Sequence, residues 1–253
     1  MTDAAGGRPW PRQAPLPDAV ASGLLRTGDP DVLGRMPWSS NATYLVNLAA
    51  DDGELLAVYK PQRGERPLWD FPRGTLALRE VAAFEISEAL GWGIVPDTVM
   101  RDGPAGPGMM QRFVEHDPEE HYFTLLETHP DDFVRMAAFD IVINNTDRKG
   151  GHCLVDADGR VWGVDHGVSF HAQWKVRTVI WDFANEALPD ELCADLARVG
   201  DRLRGNGELA QRLRGLLDRF EVDAVRARID HLLAVGVLPE ADPGYHSWPW
   251  PLV

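Results

Sequence analysis

The sequence predicts an α+β protein of two lobes, a small β-rich amino-terminal lobe followed by a helical carboxy-terminal one. Period-two alternation flanks a turn between residues 43 and 60, a capped helical run spans 75–91, and helical patterning interrupted by one short hairpin follows His116. With 253 residues and 44% apolar side chains, the chain is long enough to bury one large core or a bilobal unit.

Residues 1–21, rich in Pro and Gly from Gly6 to Pro17, read as a disordered tail, because that composition sustains neither a helix nor a ladder. Folded patterning starts near Leu24, and 22–113 makes up the first lobe. Thr43–Leu48 and Glu54–Lys60 alternate as two strands around a turn at Ala49–Gly53, which sets Lys60 at the exit of the second strand. Pro61 ends the ladder, and 62–74 is loop. Thr75 is positioned to cap a helix running to Leu90, where Gly91 stops it. Ile94–Met100 and Met109–Val114 read as strands around a Gly/Pro turn at 101–108. In the second lobe, 114–253, Asp131 and Asp132 favour the start of a helix over Phe133–Ile143. His152–Val155 and Arg160–Val164 are short strands joined by Asp156-Ala157-Asp158-Gly159, a strong turn signal. Two or three helices follow between Asp190 and Val235, then a Trp/Pro-rich tail with Trp248 and Trp250.

Composition narrows the function. The net charge of −14 repels phosphate backbones and anionic lipid surfaces, and no basic stripe offsets it, so nucleic acid is not an expected partner. Cys153 and Cys193 are too few for a disulfide framework or a Cys-rich zinc site. No apolar run approaches the roughly 20 residues of a membrane helix and no signal-peptide pattern opens the chain, so the expectation is a cytoplasmic protein without stable membrane insertion. Only Lys60, Lys149 and Lys175 interrupt an otherwise all-Arg set of 25 basic residues, which makes each lysine a candidate for work that Arg cannot do.

Several residues read as chemically purposeful. On the helix after Thr75, Leu76, Glu80, Ala83, Phe84, Ser87 and Leu90 share one face, so Glu80 lies in an apolar stripe. A carboxylate there needs a partner, and Lys60 on the neighbouring strand is the obvious cation. Asp140 lies on the apolar face of the next helix and is expected to accept hydrogen bonds from the loop that follows, in a structural role. That loop, Asn144 to His152, is polar, Gly-flexible and held between apolar elements, the usual setting for catalytic groups. The Asp156–Gly159 turn returns the chain so that Asp147 and Asp165 can face a common point with His152 at the same end of the hairpin. Two carboxylates suit Mg²⁺ when substrate phosphates complete its shell. The spacing of His166 and His171 matches no zinc-protease helix. Lysine at a strand exit, inward glutamate on the next helix, an Asp loop and then Asp-His-Gly occur in the order a kinase needs.

With these residues in hand, Ser39 to Leu192 resembles the phosphatidylinositol 3-/4-kinase superfamily, most closely the type II phosphatidylinositol 4-kinases and an actinobacterial family of kinase-like proteins related to them. Asp140-Ile141-Val142-Ile143-Asn144-Asn145-Thr146-Asp147-Arg148 is similar to the catalytic loop of lipid kinases. Val164-Asp165-His166-Gly167 resembles the metal-binding Asp-x-Gly element, and Ala57-Val58-Tyr59-Lys60-Pro61 the strand with the ATP-binding lysine. Ser39-Ser40-Asn41-Ala42-Thr43-Tyr44 is similar to the Ser-rich phosphate-covering loop, and Met109 to Glu115 to the interlobe hinge. Trp174 and Arg177 fall in the short substrate-loop region.

The resemblance implies a bilobal, protein-kinase-like fold that binds ATP in the first lobe and transfers its γ-phosphoryl group to a hydroxyl acceptor of unknown identity. It implies that Lys60 holds phosphates and Glu80 fixes Lys60. Ser40 and Asn41 would cover the phosphates with their amides, and the main chain near Phe113 and Val114 would take the adenine edge. Asp147 would orient or deprotonate the acceptor hydroxyl, and Asp165, with His152, would hold Mg²⁺ or Mn²⁺. His152 stands where the family carries Asn. Imidazole suits Mg²⁺ poorly, which leaves three readings: a second metal site altered toward Mn²⁺ or Zn²⁺, a histidine that contacts phosphate, or lowered activity. The alternative functions are therefore a nucleotide-binding module without turnover, and transfer of AMP on the same scaffold. Lys175 and Arg177 form a thin claw for an inositol headgroup, so a small-molecule or protein hydroxyl is preferred over a lipid.

Overall fold

Five antiparallel strands build the sheet of the first lobe, in the order β1 (Asp29–Arg35), β2 (Tyr44–Ala50), β3 (Gly53–Pro61), β5 (Gly106–Arg112) and β4 (Thr98–Gly103). The computed structural model describes residues 10–11, 13–36 and 41–253. Strand alternation gives the sheet two working faces. On one, Val46, Leu48, Leu55, Ala57, Tyr59 and Met110 pack beneath Ala21, Leu24 and Leu25 of helix α1 (Asp18–Thr27). Leu56, Val58 and Lys60 alternate with that set and belong to the other face, where Met109, directly opposite Lys60 in register, packs on Ala77 and Val81 of helix α2 (Leu76–Leu90).

The second lobe contains α3 (Tyr122–Leu125), α4 (Pro130–Ile143), the β6 (Cys153–Val155) and β7 (Val161–Gly163) hairpin, α5 (Asp190–Leu203), α6 (Glu208–Arg214) and α7 (Arg219–Val235). Its core gathers Phe133, Met136, Phe139 and Ile143 of α4 with Leu196, Val199, Val225 and Ile229 of α5 and α7, and extends to Ala82, Ile86 and Leu90 of α2. Helix α2 is therefore shared by both lobes, and that sharing explains two departures from the sequence reading. Its buried positions run nearly all round, Arg79, Val81, Ala82 and Ile86 as well as Glu80 and Ser87, instead of forming a single stripe. Its amino end is capped by Glu65, whose carboxylate accepts the Leu76 and Ala77 amides at 3.2 and 2.9 Å, and not by Thr75. Gly91 closes it as expected, in the left-handed region at φ 76°.

Three further expectations are corrected. The disordered tail does not extend to residue 21: α1 starts at Asp18, and Trp10 is 9% exposed against the sheet. Pro15 and Pro17 precede the helix, where a missing N–H costs nothing, and the Pro17 carbonyl accepts the Val20 and Ala21 amides. Ile94 to Asp97 is coil, because Ser87 Oγ satisfies the Ile94 and Val95 amides at 2.8 and 3.1 Å and leaves no need for a ladder. The turn between β4 and β5 is only Pro104-Ala105, with Gly106 at φ 95°, so both strands extend into the stretch read as loop. Strand β1 was absent from the sequence reading, since its side chains are mostly exposed and carry no alternation. Among the described residues, no helix is long and apolar enough to cross a membrane.

Candidate active site

The side chains of Lys60, Glu80, Asp147 and Asp165 line one open cleft between the lobes, together with Asn41, Ala42, Leu76, Gly167 and Val168. Strand β3 delivers Lys60 and α2 delivers Glu80. The Lys60 ammonium donates to Glu80 Oε1 at 2.6 Å and to Asp165 Oδ1 at 2.7 Å. Glu80 Oε2 in turn accepts the His166 amide at 2.8 Å, so one buried carboxylate ties the first lobe to the Asp165–Gly167 segment of the second. Burial works against the Lys60 charge, but Asp165 and Glu80 outweigh it and hold Lys60 above the ordinary lysine range. One cation cannot hold both carboxylates low. The Lys60 charge keeps Asp165 well below its usual range, while burial drives Glu80 up and Lys60 offsets this only in part.

Asp165 is at φ 61°, a left-handed conformation costly for a side-chain-bearing residue and kept only where the surroundings over-determine it. Asp147 is positioned by its own loop: its amide donates to Asn145 Oδ1 at 3.0 Å, and Lys149 Nζ lies 2.9 Å from Asp147 Oδ2. Burial raises the Asp147 carboxyl, against the pull of Lys149. His152 lies behind this group, Nε2 3.5 Å from Asp165 Oδ2, and burial lowers its imidazole to about 4.

Beneath the loop, Asp140 carries out the structural task expected of it. It accepts from Arg148 Nε and Nη2, Asn145 Nδ2 and Thr178 Oγ1 at 2.9 to 3.2 Å. Arg148 and Asp140 are both fully buried. The sequence reading did not single out Arg148, although its place directly after Asp147 was the available signal. Its guanidinium also donates to the Val164 carbonyl at 3.0 Å and reaches His166 Nε2 at 2.7 Å, so His166 accepts there and carries its proton on Nδ1. Burial and Arg148 hold His166 well below the usual histidine range, hence neutral. Asn144 stands where the Asp140 face of the helix meets the loop. It ends α4 at φ 53°, and its amide donates to the carbonyls of His171 and Gln173 and accepts the Lys175 amide, fixing the following segment.

Of the remaining expected residues, Ser40 lies outside the described residues. Asn41 Oδ1 accepts the Arg66 amide at 2.9 Å at the cleft edge. Phe113 and Val114 link β5 to the second lobe away from this group: the Phe113 amide donates to the Leu56 carbonyl at 3.0 Å, and the Val114 carbonyl accepts from His116 Nδ1 at 2.8 Å. Among the described residues, no cluster of three or more His, Cys, Asp or Glu is arranged to hold a metal by itself. Two carboxylates on one cleft fit a hard ion that phosphates also ligate, and the neutral nitrogen of His152 fits it less well.

A two-lobed arrangement with a lysine, a buried glutamate and two loop aspartates on the intervening cleft defines a protein of the kinase class. The fold is that of solved kinases. The proinflammatory kinase CtkA of Helicobacter pylori superposes with a TM-score of 0.52 over 85% of this chain and 94% of its own at 11% identity. A Golgi casein kinase superposes at 0.50 over 86% and 73%, at 14% identity. The family description "Phosphatidylinositol 3- and 4-kinase" matches residues 98–220, a span that includes Asp147 and Asp165 but not Lys60 or Glu80. Protein Rv2133c of Mycobacterium tuberculosis is 41% identical over 263 residues, covering 90% of this chain and 94% of that one. The chain belongs to one family with that mycobacterial protein, and its residues 98–220 are similar to the phosphatidylinositol 3- and 4-kinases.

Proposed function

We propose that the protein is an ATP-dependent phosphotransferase that moves the γ-phosphoryl group to a hydroxyl. The observation that carries this is the meeting of Lys60, Glu80, Asp165 and Asp147, drawn from four separate segments, on one cleft. Lys60, held by Glu80, neutralises phosphate charge, and exchanges its Asp165 contact for phosphate oxygens when nucleotide enters. Asp165 holds Mg²⁺ or Mn²⁺, which supplies the charge neutralisation that phosphoryl transfer needs. Asp147 orients the acceptor hydroxyl and takes its proton, a task favoured by the upward push of burial on its carboxyl. The work is positioning and electrostatic stabilisation of an in-line transfer.

The acceptor we favour is a small-molecule or protein hydroxyl in the cytoplasm. Lys175 is paired with Asp70 at 2.8 Å, and Arg177 is engaged by Tyr245 Oη and the His246 carbonyl, so neither is held ready for a polyanionic headgroup. Tight binding to phosphoinositide vesicles at physiological salt would overturn that preference.

The test is thermal unfolding with ATP, in the presence and absence of Mg²⁺ or Mn²⁺. Nucleotide at 100 times its dissociation constant should add about 2.7 kcal/mol of stability, and Asp165→Ala should remove the metal-dependent part. No shift with any nucleotide removes the reading. His152 supports a second one, a nucleotide-binding module without turnover: it predicts the same thermal shift with no transfer and no change in cellular function on Asp147→Asn. Mass analysis of a modified acceptor separates phosphate from AMP transfer.

A further inference from the structure

At its Leu56 end, the sheet face that carries Lys60 is covered by the chain's own amino-terminal strap, through Trp10 and Gln13. Trp10 is 9% exposed and packs on Leu56 and Phe113, with Leu45 and Val58 at its margin. Its indole meets the Phe113 ring edge-on at 5.2 Å and lies tilted over His116 at 4.8 Å. Gln13 fastens the strap beside it: its side-chain oxygen accepts the Leu56 amide at 2.8 Å, and its own amide donates to Glu115 Oε1 at 2.6 Å.

The face matters. Leu56 and Val58 alternate with Lys60 along β3 and point to the same side of the sheet. Phe113 follows β5 opposite Leu56, on the side where Lys60 faces Met109. Leu56 lies four residues from Lys60, about 13 Å along the strand, which matches the reach from the phosphates to the base in an extended nucleotide. A nucleotide gripped by Lys60 and laid along this face toward the interlobe link puts its base where Trp10 sits. Indole and purine are planar fused bicycles of similar size. The indole Nε1 is buried with no hydrogen-bond partner among the described residues, whereas a buried indole N–H usually has one. A seat that leaves a donor unsatisfied is one that a better-matched ring can take.

We propose that Trp10 is the resident occupant of the nucleobase subsite, and that a nucleotide binds by displacing the strap from it. The proposal rests on the phosphotransferase reading. Since only the strap-out state accepts a base, the apparent affinity is reduced by the fraction of molecules in that state.

Calorimetric titration of a nonhydrolysable ATP analogue and of inorganic tripolyphosphate, each with Mg²⁺, into the wild type, Trp10→Ala and Gln13→Ala tests it. Trp10→Ala should bind the analogue about tenfold more tightly, Gln13→Ala should move in the same direction, and tripolyphosphate, which does not reach the base end, should bind all three alike. In the wild type, the analogue should speed amide exchange at Leu56, whose donor loses Gln13. Analogue affinity unchanged or weakened in both variants overturns the proposal, as does unaltered exchange at Leu56, while tripolyphosphate binding leaves the phosphate end of the site standing. Failure of both ligands to bind any of the three proteins removes the phosphotransferase reading itself. Should Trp10→Ala not fold, Gln13→Ala and the exchange measurement decide.

Discussion

Lys60 Nζ and Glu80 Oε1 are 2.6 Å apart, and Glu80 is 1% exposed, so the pair spans from sheet to helix at the point where the two lobes meet. Its neutralising partner gone, Glu80 would be left with the His166 amide alone.

Lys60→Met should therefore cost about 3 kcal/mol of stability at neutral pH, as breaking a buried pair does. The loss should shrink on mild acidification. Glu80 already titrates above its ordinary range, and removal of Lys60 raises it further. A carboxyl whose folded value exceeds its unfolded one contributes stability that is complete below the unfolded value and is lost as pH rises through the folded one. Urea unfolding of mutant and wild type at pH 5 and pH 7.5 should show the smaller difference at pH 5; an equal or larger one there would show that Glu80 is not the stranded charge.

Asp140→Ala should be as damaging although Asp140 is fully buried beneath the loop. It strands the guanidinium of Arg148, which is fully buried and takes its charge compensation from Asp140. The expected cost is about 3 to 5 kcal/mol by chemical denaturation, with Asp140→Asn intermediate because it keeps the volume and one acceptor. A loss below about 1 kcal/mol would contradict the role assigned to the pair.

The two cysteines should differ in reactivity. Cys153 is buried, and burial pushes its thiol up to about 12, so almost no thiolate forms below pH 9. Cys193 is partly exposed. Iodoacetamide at pH 8 should label Cys193 in the native protein and both residues in denaturant, as mass spectrometry of the digested protein would reveal. Prompt native labelling of Cys153 would mean that the hairpin opens.

The carboxy-terminal Trp/Pro segment braces the loop from Asn144 to His152. The Leu252 carbonyl accepts the Gly150 amide at 2.7 Å, and the Ser247 carbonyl accepts both the Thr178 amide and Trp181 Nε1. With each hydrogen bond contributing about 1 kcal/mol net, deletion of residues 247–253 should cost about 2 to 3 kcal/mol and accelerate amide exchange at Gly150 and Thr178. Unchanged exchange at both would remove the bracing role.

Much of this arrangement was legible before any coordinates. Alternation around the 49–53 turn set Lys60 at a strand exit, helical spacing put Glu80 and Asp140 among apolar neighbours, and the turn before Arg160 brought Asp165 back toward Asp147. These are local signals, because chain periodicity decides which way a side chain points. Trp10 was hidden by the opposite logic: Pro and Gly around it forbid regular structure, and composition says nothing about whether an irregular strap finds a sheet to lie on. Arg148 was overlooked because a charged residue in a polar loop reads as solvated until its partners are known. Ile94 and Val95 read as strand because their apolar character was visible and the Ser87 hydroxyl that satisfies their amides was not.

By itself, then, the sequence determined the order of the lobes, the chemical types on offer and the faces from which they project, all set by spacing along the chain. Which carboxylate shares the lysine, how Arg148 fills the space under the loop, and whether the Leu56 end of the Lys60 face is open or covered by Trp10 were decided only by the tertiary structure. Each depends on groups 8 to 105 residues apart in the chain meeting in space, and where burial is complete, as for Arg148 and Asp140, the pairing becomes a dominant energy.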